Sequence, residues 1–141
     1  MPPWESLDNA IYAPPITQKT LDYEGELCVV LGRDAEDVSD GEALDYVLGY
    51  TAGNDVSART FQAPELSGYQ FSFAKSFDGF APMGPCIATK VAIPDPQNIS
   101  FVTRVNGAVR QWSNTSNMIF NGRQVVAHLS QGTPCAKDPS S

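Results

Sequence analysis

The chain has 141 residues, 42% of them hydrophobic, and carries 16 acidic against 9 basic side chains. A chain of this size can bury one core and has little room for two domains. Its formal net charge of -7 opposes an electrostatic grip on nucleic acid or on an anionic membrane surface, and no apolar run is long enough to span a bilayer. A small molecule or a protein is the expected partner.

The cysteines give no sign of an extracellular protein. Cys28, Cys86 and Cys135 are odd in number and widely spaced, which indicates neither a disulfide framework nor a zinc knuckle. The first residues lack the basic and apolar stretches of a signal peptide. We therefore expect a cytoplasmic protein, with a mitochondrial location left open if the N-terminus is incomplete.

The chain divides into three predicted segments. Residues 1–19 hold four prolines and predict an extended lead-in. Residues 20–133 predict one domain, mainly β with short helices. Residues 134–141 offer no core-forming pattern and predict an unstructured tail.

The first predicted strand starts at Leu21, where residues begin to alternate between two faces. Asp22, Glu24 and Glu26 share one face, and Gly32 closes the strand. The chain therefore presents three acids on one side of a strand.

A helix and a second strand are predicted next. Ser39 is followed three residues later by Glu42, which is a capping-box signature, and Gly49 is placed to end the helix. A strand is expected from Tyr50.

Two short elements follow the turn at residues 53–55. Ser57 can cap a short helix that presents Arg59 and Gln62 on one face. A short strand is expected over residues 71–77.

The clearest local signal is a β-hairpin. Asn106-Gly107 suits the positive φ angles of a tight turn between strands at residues 102–105 and 108–112. Asn121 then predicts the start of a last helix that Gly132 ends.

The paired glutamates raise the question of what neutralises them. Glu24 and Glu26 project from one strand face with about 7 Å between their Cα atoms, so a cation, an arginine or water must offset their repulsion. An exposed strand face and a metal site both fit, and Asp55 fits either a helix cap or a third ligand. Carboxylate oxygens suit Mg²⁺, Mn²⁺ or Ca²⁺ and suit zinc poorly.

Lys75 is the candidate for acting on a substrate. It is flanked by Phe73 and Phe77, so it fits a partly desolvated ammonium aimed at an anion or a developing enolate. A lysine that extends to solvent is the other reading. Arg59 and Gln62 likewise fit either substrate ligands or surface residues.

Several short blocks carry a family resemblance: residues 22–27, 49–50, 53–59, 74–78, 82–85, 105–107, 110–111, 114–116 and 118–120. In order and spacing they resemble the C-terminal catalytic domain of the fumarylacetoacetate hydrolase family, over roughly residues 14–133. The resemblance implies a mixed β-sandwich or roll in homodimers. It also implies an Mg²⁺ or Mn²⁺ ion held by Glu24, Glu26 and Asp55, and the carboxylate ligands leave Ca²⁺ as a third candidate.

The resemblance extends to the substrate and the reaction. It implies that Arg59, Gln62 and Lys75 face a small 2-oxo or β-diketo acid. Family reactions cleave or decarboxylate such acids through an enolate whose charge the cation and the lysine share. A metal-dependent hydrolase or decarboxylase of 2-oxo acid metabolism is the leading expectation.

Two departures from the family pattern support a rival expectation. The family's upstream segment, with a histidine and a glutamate that activate water, is not in this chain, and strands expected after the last helix are replaced by a short tail. A truncated, catalytically impaired paralogue that serves as a metal-binding or oligomerisation module is therefore the alternative, and a fragmentary gene product is the third.

Overall fold

The protein is mainly β with short helices, as the sequence predicts. Its computed structural model describes residues 10–136. The strands in this range are β1 Leu21–Asp22, β2 Gly25–Leu31, β3 Val47–Asn54, β4 Ser57–Ala58, β5 Met83–Thr89, β6 Ser100–Val105 and β7 Ala108–Asn114. The α-helices are α1 Pro64–Ser67, α2 Ser72–Lys75 and α3 Gly122–Leu129, and 3-10 turns cover Gln18–Thr20, Ala43–Tyr46, Arg59–Gln62 and Thr115–Asn117.

The described strands form three small sheets. β1 pairs antiparallel with β4, and β6 pairs antiparallel with β7. The third sheet has the order β2-β3-β5. The acidic run that the sequence predicts as one strand is interrupted at Tyr23 and Glu24, because β1 and β2 pair with different partners.

The chain folds as two compact units. One comprises the described residues up to 26 together with 52–85, and the other comprises 27–51 together with the described residues from 86 onwards. All three crossings between the units fall within strands of the β2-β3-β5 sheet.

Each unit has its own apolar core. In the first unit one cluster is formed by the buried side chains Val56, Ala58 and Phe80, with Ile11, Phe61 and Phe77 packed against them. In the second unit a cluster is formed by Ala35, Val38, Ala43 and Val126, with Val29, Leu31, Tyr46 and Cys135 packed against them.

The helix predicted after Ser39 is wrong. Only the 3-10 turn Ala43–Tyr46 is helical, and β3 starts at Val47. Burial alternates at the start of β3, where Val47 and Gly49 are buried and Leu48 is more exposed, as in a strand with one covered face. Gly49 does not end a helix: a Cβ built on it would lie 2.4 Å from the carbonyl oxygen of Ala88 in β5.

The strand predicted over residues 71–77 is also wrong, because this segment contains helix α2. Phe73 and Phe77 are four residues apart, and their ring centroids lie 5.3 Å from each other. Both rings also contact Phe61, with centroid distances of 5.1 and 6.1 Å. Packing among aromatic rings, which a strand pattern does not encode, selects the helical turn here.

The hairpin prediction is confirmed. Val105 pairs with Ala108 across the two-residue turn, where Asn106 and Gly107 have φ angles of 51° and 79°. The register shifts between Thr103 and Arg104. This irregularity is a bulge that the alternation of residues does not reveal.

The last helix is confirmed as well. Asn121 caps α3 through a capping box with Gln124, and Gly132 follows the helix with a φ angle of 63°. Among the described helices, none is long and apolar enough to cross a membrane.

The two terminal segments are only partly within the described range. Residues 1–9 of the predicted lead-in lie outside it, and the remainder turns at Thr17, which is fully buried and donates to the carbonyl oxygen of Pro14. In the predicted tail, Cys135 exchanges two backbone hydrogen bonds with Ala35 and packs on the core of its unit. The unstructured tail is therefore wrong at Cys135, and residues 137–141 lie outside the described range.

The close approach of β3 to β5 predicts a large effect of one added methyl group. Gly49→Ala should lower the free energy of unfolding by about 1–3 kcal/mol or more, because the new Cβ meets backbone that cannot move aside easily. Urea unfolding followed by circular dichroism measures the change. Gly41→Ala is the matched control, since the nearest atom to its added Cβ is 4.0 Å away. Equal stability of the two variants would contradict the close packing at Gly49.

Candidate metal and acid-binding site

The backbone places the acidic residues together. Asp22 and Ser57 are partners in the register of β1 with β4. Just beyond this pair, the N–H of Asp55 donates to the carbonyl oxygen of Glu24 at 2.9 Å, and the N–H of Glu24 donates to Oδ1 of Asn54 at 3.1 Å. These bonds join segments that lie thirty residues apart in the chain.

Three carboxylates converge at this junction. Glu24, Glu26 and Asp55 each offer an oxygen, and these oxygens lie within 4.8 Å of one another. Glu24 and Asp55 are partly buried, whereas Glu26, in β2, is exposed. The three residues that the resemblance names as metal ligands are thus brought together, at a spacing that a single hard cation can bridge.

Lys75 lies against this group from helix α2. Its Nζ donates to Asp55, contacts Oε1 of Glu24 at 3.2 Å and donates to Oγ of Ser57 at 3.0 Å. Its side chain is 25% exposed, so it does not extend into solvent. The ammonium pairs with the carboxylates of Asp55 and Glu24, as expected for a residue of the same site.

Arg59 contacts two of the acidic residues, Glu24 and Asp22. Its Nη1 lies 2.7 Å from Glu24 and donates to Oε1 of Gln62 at 3.0 Å. Its Nε and Nη2 both lie 2.9 Å from Oδ2 of Asp22. Arg59 and Gln62 therefore meet on one 3-10 turn, as the spacing of three residues predicts, and the guanidinium is fixed by several partners.

Two further residues belong to the site and were not assigned to it from the sequence. Asp22 orients Arg59, and its place on the acidic face of the first strand was a usable signal. Ser57 was predicted as a helix cap, but it lies in β4, fully buried, and donates to Oε1 of Glu24 at 3.1 Å. Its contact with Lys75 could not be read from the pattern around it.

The formal charges of the cluster do not cancel. Four carboxylates and two cationic groups leave a net charge of -2 among these residues: Asp22, Glu24, Glu26, Asp55, Arg59 and Lys75. Glu26 takes part in none of the four ion pairs. One divalent cation would balance this charge.

The pKa values of the two glutamates shift in opposite directions. Burial acts to raise the pKa of Glu24, but hydrogen bonds from Lys75 and Ser57, with the charges of Lys75 and Arg59, outweigh it and hold the pKa below the ordinary value. At Glu26, which is exposed as a whole residue, partial desolvation of the carboxylate and the negative charges of Asp55 and Glu24 raise the pKa. The anionic form of Glu26 is thus the one that still needs a positive partner.

Lys75 remains an ammonium in this environment. Burial acts to lower its pKa, but hydrogen bonds to Asp55 and Glu24, together with their negative charges, raise the pKa above the ordinary value. A lysine that holds its proton so firmly is suited to donate hydrogen bonds to an anion and is unsuited to remove a proton from a substrate.

Comparison with known proteins agrees with these features. Residues 6–138 match the sequence model of the fumarylacetoacetate (FAA) hydrolase C-terminal family. The chain belongs to this family, which confirms the resemblance drawn from its motifs.

Two curated relatives illustrate the extent of the match. A fumarylacetoacetate hydrolase domain-containing protein 2 homolog from Dictyostelium discoideum is 42% identical over 91% of this chain and 46% of its own length. A mitochondrial oxaloacetate tautomerase from Xenopus laevis is 39% identical over 83% of this chain and 36% of its own. The chain spans less than half the length of these relatives.

Solved structures show the same fold. The 2-hydroxyhepta-2,4-diene-1,7-dioate isomerase from Mycobacterium marinum is 43% identical with a TM-score of 0.77, over 84% of this chain and 45% of its own. The fumarylacetoacetate hydrolase from Exiguobacterium antarcticum is 38% identical with a TM-score of 0.77, over 85% of this chain and 42% of its own. The mainly β architecture is therefore that of the family.

The buried hydroxyl of Ser57 predicts a measurable cost on its removal. Ser57→Ala should reduce the free energy of unfolding by about 1–2 kcal/mol, because Glu24 and Lys75 each lose a hydrogen bond in a partly buried place. Chemical denaturation at neutral pH measures this difference. Ser116→Ala, at an exposed position, should change stability by less than about 0.5 kcal/mol. A silent Ser57→Ala would show that this hydroxyl does not support the site.

Proposed function

We propose that this chain carries a divalent-cation site of a hydrolase or decarboxylase that acts on a small 2-oxo or β-diketo acid through an enolate. The observation that carries the proposal is the convergence of Glu24, Glu26 and Asp55 within 4.8 Å, with Lys75 against two of them. Carboxylates held this close need a positive charge between them.

The donor set selects the kind of cation. Three carboxylate oxygens are hard ligands and favour Mg²⁺ or Mn²⁺, with Ca²⁺ as the third candidate. Glu24, Glu26 and Asp55 would hold the ion, and the net charge of -2 in the cluster matches a divalent one. Such an ion supplies positive charge that polarises the oxygens of a bound acid.

The chain's own cations would bind and stabilise the substrate. Lys75, kept as an ammonium, would donate hydrogen bonds to the oxygen on which enolate charge develops. Arg59 would attract a carboxylate of the acid through its positive charge, while Asp22, Glu24 and Gln62 hold its guanidinium in place. Gln62, hydrogen-bonded to Arg59, would fix its orientation.

The names of the relatives support this substrate class. They describe an oxaloacetate tautomerase, a 2-hydroxyhepta-2,4-diene-1,7-dioate isomerase and a fumarylacetoacetate hydrolase. The substrates in these three names are small acids with two carboxylate groups and a carbonyl or enol group. Cleavage and tautomerisation share the enolate, so activity assays on this chain should follow both.

We also propose that the chain forms a homodimer. Large apolar side chains are exposed on the hairpin and on the segment after it, namely Val109, Trp112, Ile119 and Phe120. Several large apolar side chains exposed on neighbouring segments are typical of a face that another chain covers.

Loss of Glu26 should weaken the cation site without harming the fold. Glu26→Gln should reduce Mg²⁺ affinity at least about tenfold, because one of three charged ligands is lost. Isothermal titration calorimetry measures the affinity, and thermal melting gives a second readout, since a hundredfold excess over Kd adds about 2.7 kcal/mol to stability.

The variant has a built-in check and a matched control. Glu26→Gln removes a repulsive charge, so the cation-free variant should melt no lower than the parent chain. Glu65→Gln, exposed on α1, should bind Mg²⁺ like the parent. Unchanged affinity in Glu26→Gln would remove Glu26 from the site, and a parent chain that binds neither Mg²⁺ nor Mn²⁺ would end the proposal.

Catalysis should depend on the ammonium of Lys75. Lys75→Met should abolish turnover of oxaloacetate and of an acylpyruvate, because it removes the ammonium that would stabilise the enolate oxygen. Ultraviolet absorbance follows the enol and keto forms, and product analysis follows cleavage. Full activity in the variant would exclude Lys75 from the mechanism. A parent chain that binds the cation but turns over neither acid would instead support the alternative, a catalytically impaired paralogue that serves as a metal-binding module.

A further inference from the structure

Lys75 already binds two of the three carboxylates that the proposed cation would use. Its Nζ donates to Oδ2 of Asp55 and lies 3.2 Å from Oε1 of Glu24. The ammonium is therefore placed on the ligand groups themselves and not at a neighbouring subsite.

The position of the ammonium is defined by a third contact. Ser57, fully buried in β4, accepts a hydrogen bond from Nζ at 3.0 Å while donating to Glu24. Lys75 also follows Ala74, which is fully buried in α2. The backbone of Lys75 thus lies next to a buried residue, and its ammonium is positioned by hydrogen bonds.

The third carboxylate is left aside by this arrangement. Glu26 is exposed and takes part in none of the ion pairs that Lys75 and Arg59 make. Lys75 thus pairs with two of the three candidate ligands and leaves Glu26 without an ion pair to it or to Arg59.

We propose that the Lys75 ammonium and a divalent cation compete for the carboxylates of Asp55 and Glu24. The inference rests on the proposed cation site. Two positive groups on the same carboxylates repel each other at this range, so cation binding and the Lys75 ion pairs oppose one another. The displaced ammonium becomes available to an anionic ligand, which ties readiness for the acid to the presence of the cation.

Removal of the lysine charge should strengthen cation binding. Lys75→Met should bind Mg²⁺ and Mn²⁺ about tenfold more tightly than the parent chain, because the cation no longer competes with an ammonium. Isothermal titration calorimetry at pH 8 measures the affinity. Lys19→Met is the matched control: it removes the same charge at an exposed position of the same unit and should stay within about twofold of the parent.

Thermal melting gives a readout independent of affinity. Without cation, Lys75→Met should melt below the parent because its carboxylates have lost a counter-ion, and added Mg²⁺ should raise its melting temperature by more than it raises the parent's. Lys75→Gln, which keeps a hydrogen-bond donor without charge, should show the same directions if the methionine variant does not fold.

Failure of this inference is separable from failure of the proposed function. If the parent binds Mg²⁺ and both Lys75 variants bind it equally or more weakly, the competition is overturned while the cation site stands. If neither the parent nor the variants bind cation, both are overturned. In the parent itself, the ¹⁵N signal of the Lys75 Nζ should shift during Mg²⁺ titration, and a signal that stays in place at saturation would also overturn the inference.

Discussion

Repulsion among carboxylates is the constraint on which the first unit depends. Glu24, Glu26 and Asp55 converge within 4.8 Å, and like charges at such distances destabilise a fold unless positive groups lie between or beside them. Lys75 and Arg59 provide part of that compensation through four ion pairs. The remaining negative charge is the property that makes the cluster suited to a divalent cation.

The β1–β4 ladder converts this electrostatic need into a defined geometry. It is only two residues long on each side, but it sets Asp22 opposite Ser57. Asp22 holds Arg59, and Ser57 holds Lys75 and Glu24. Asp22 and Ser57 therefore each position one of the two positively charged side chains, Arg59 and Lys75. The smallest sheet in the described part of the chain thus organises the site.

The sequence predicts correctly those elements that depend on interactions between residues close together in the chain. The Asn106-Gly107 turn and the capping box at Asn121 depend on a few adjacent residues, and both were read correctly. Gly49 and Ser57 were misread because their roles are set by distant partners. Gly49 admits the backbone of Ala88, and Ser57 serves Glu24 and Lys75.

In the candidate site, too, the sequence pattern relates neighbouring residues to one another but not residues that are distant in the chain. Spacing alone places Glu24 and Glu26 on one face and Arg59 beside Gln62. It leaves an exposed strand face open as the alternative to a metal site, and a helix cap open as the alternative to a third ligand at Asp55. The family resemblance joined Asp55 and Lys75 to them. No periodicity could have done so, because Asp55 reaches Glu24 through a backbone hydrogen bond across the chain and Lys75 reaches both from a helix where a strand was expected.

Anomalous X-ray diffraction from crystals soaked in Mn²⁺ tests the cation site most directly, because it locates the ion without reference to activity. An anomalous peak within coordination distance of Glu24, Glu26 and Asp55, about 2.0–2.6 Å for hard cations, is the expected result. Saturating Mn²⁺ that leaves no peak among these carboxylates, or that places it elsewhere in the chain, would contradict the central claim.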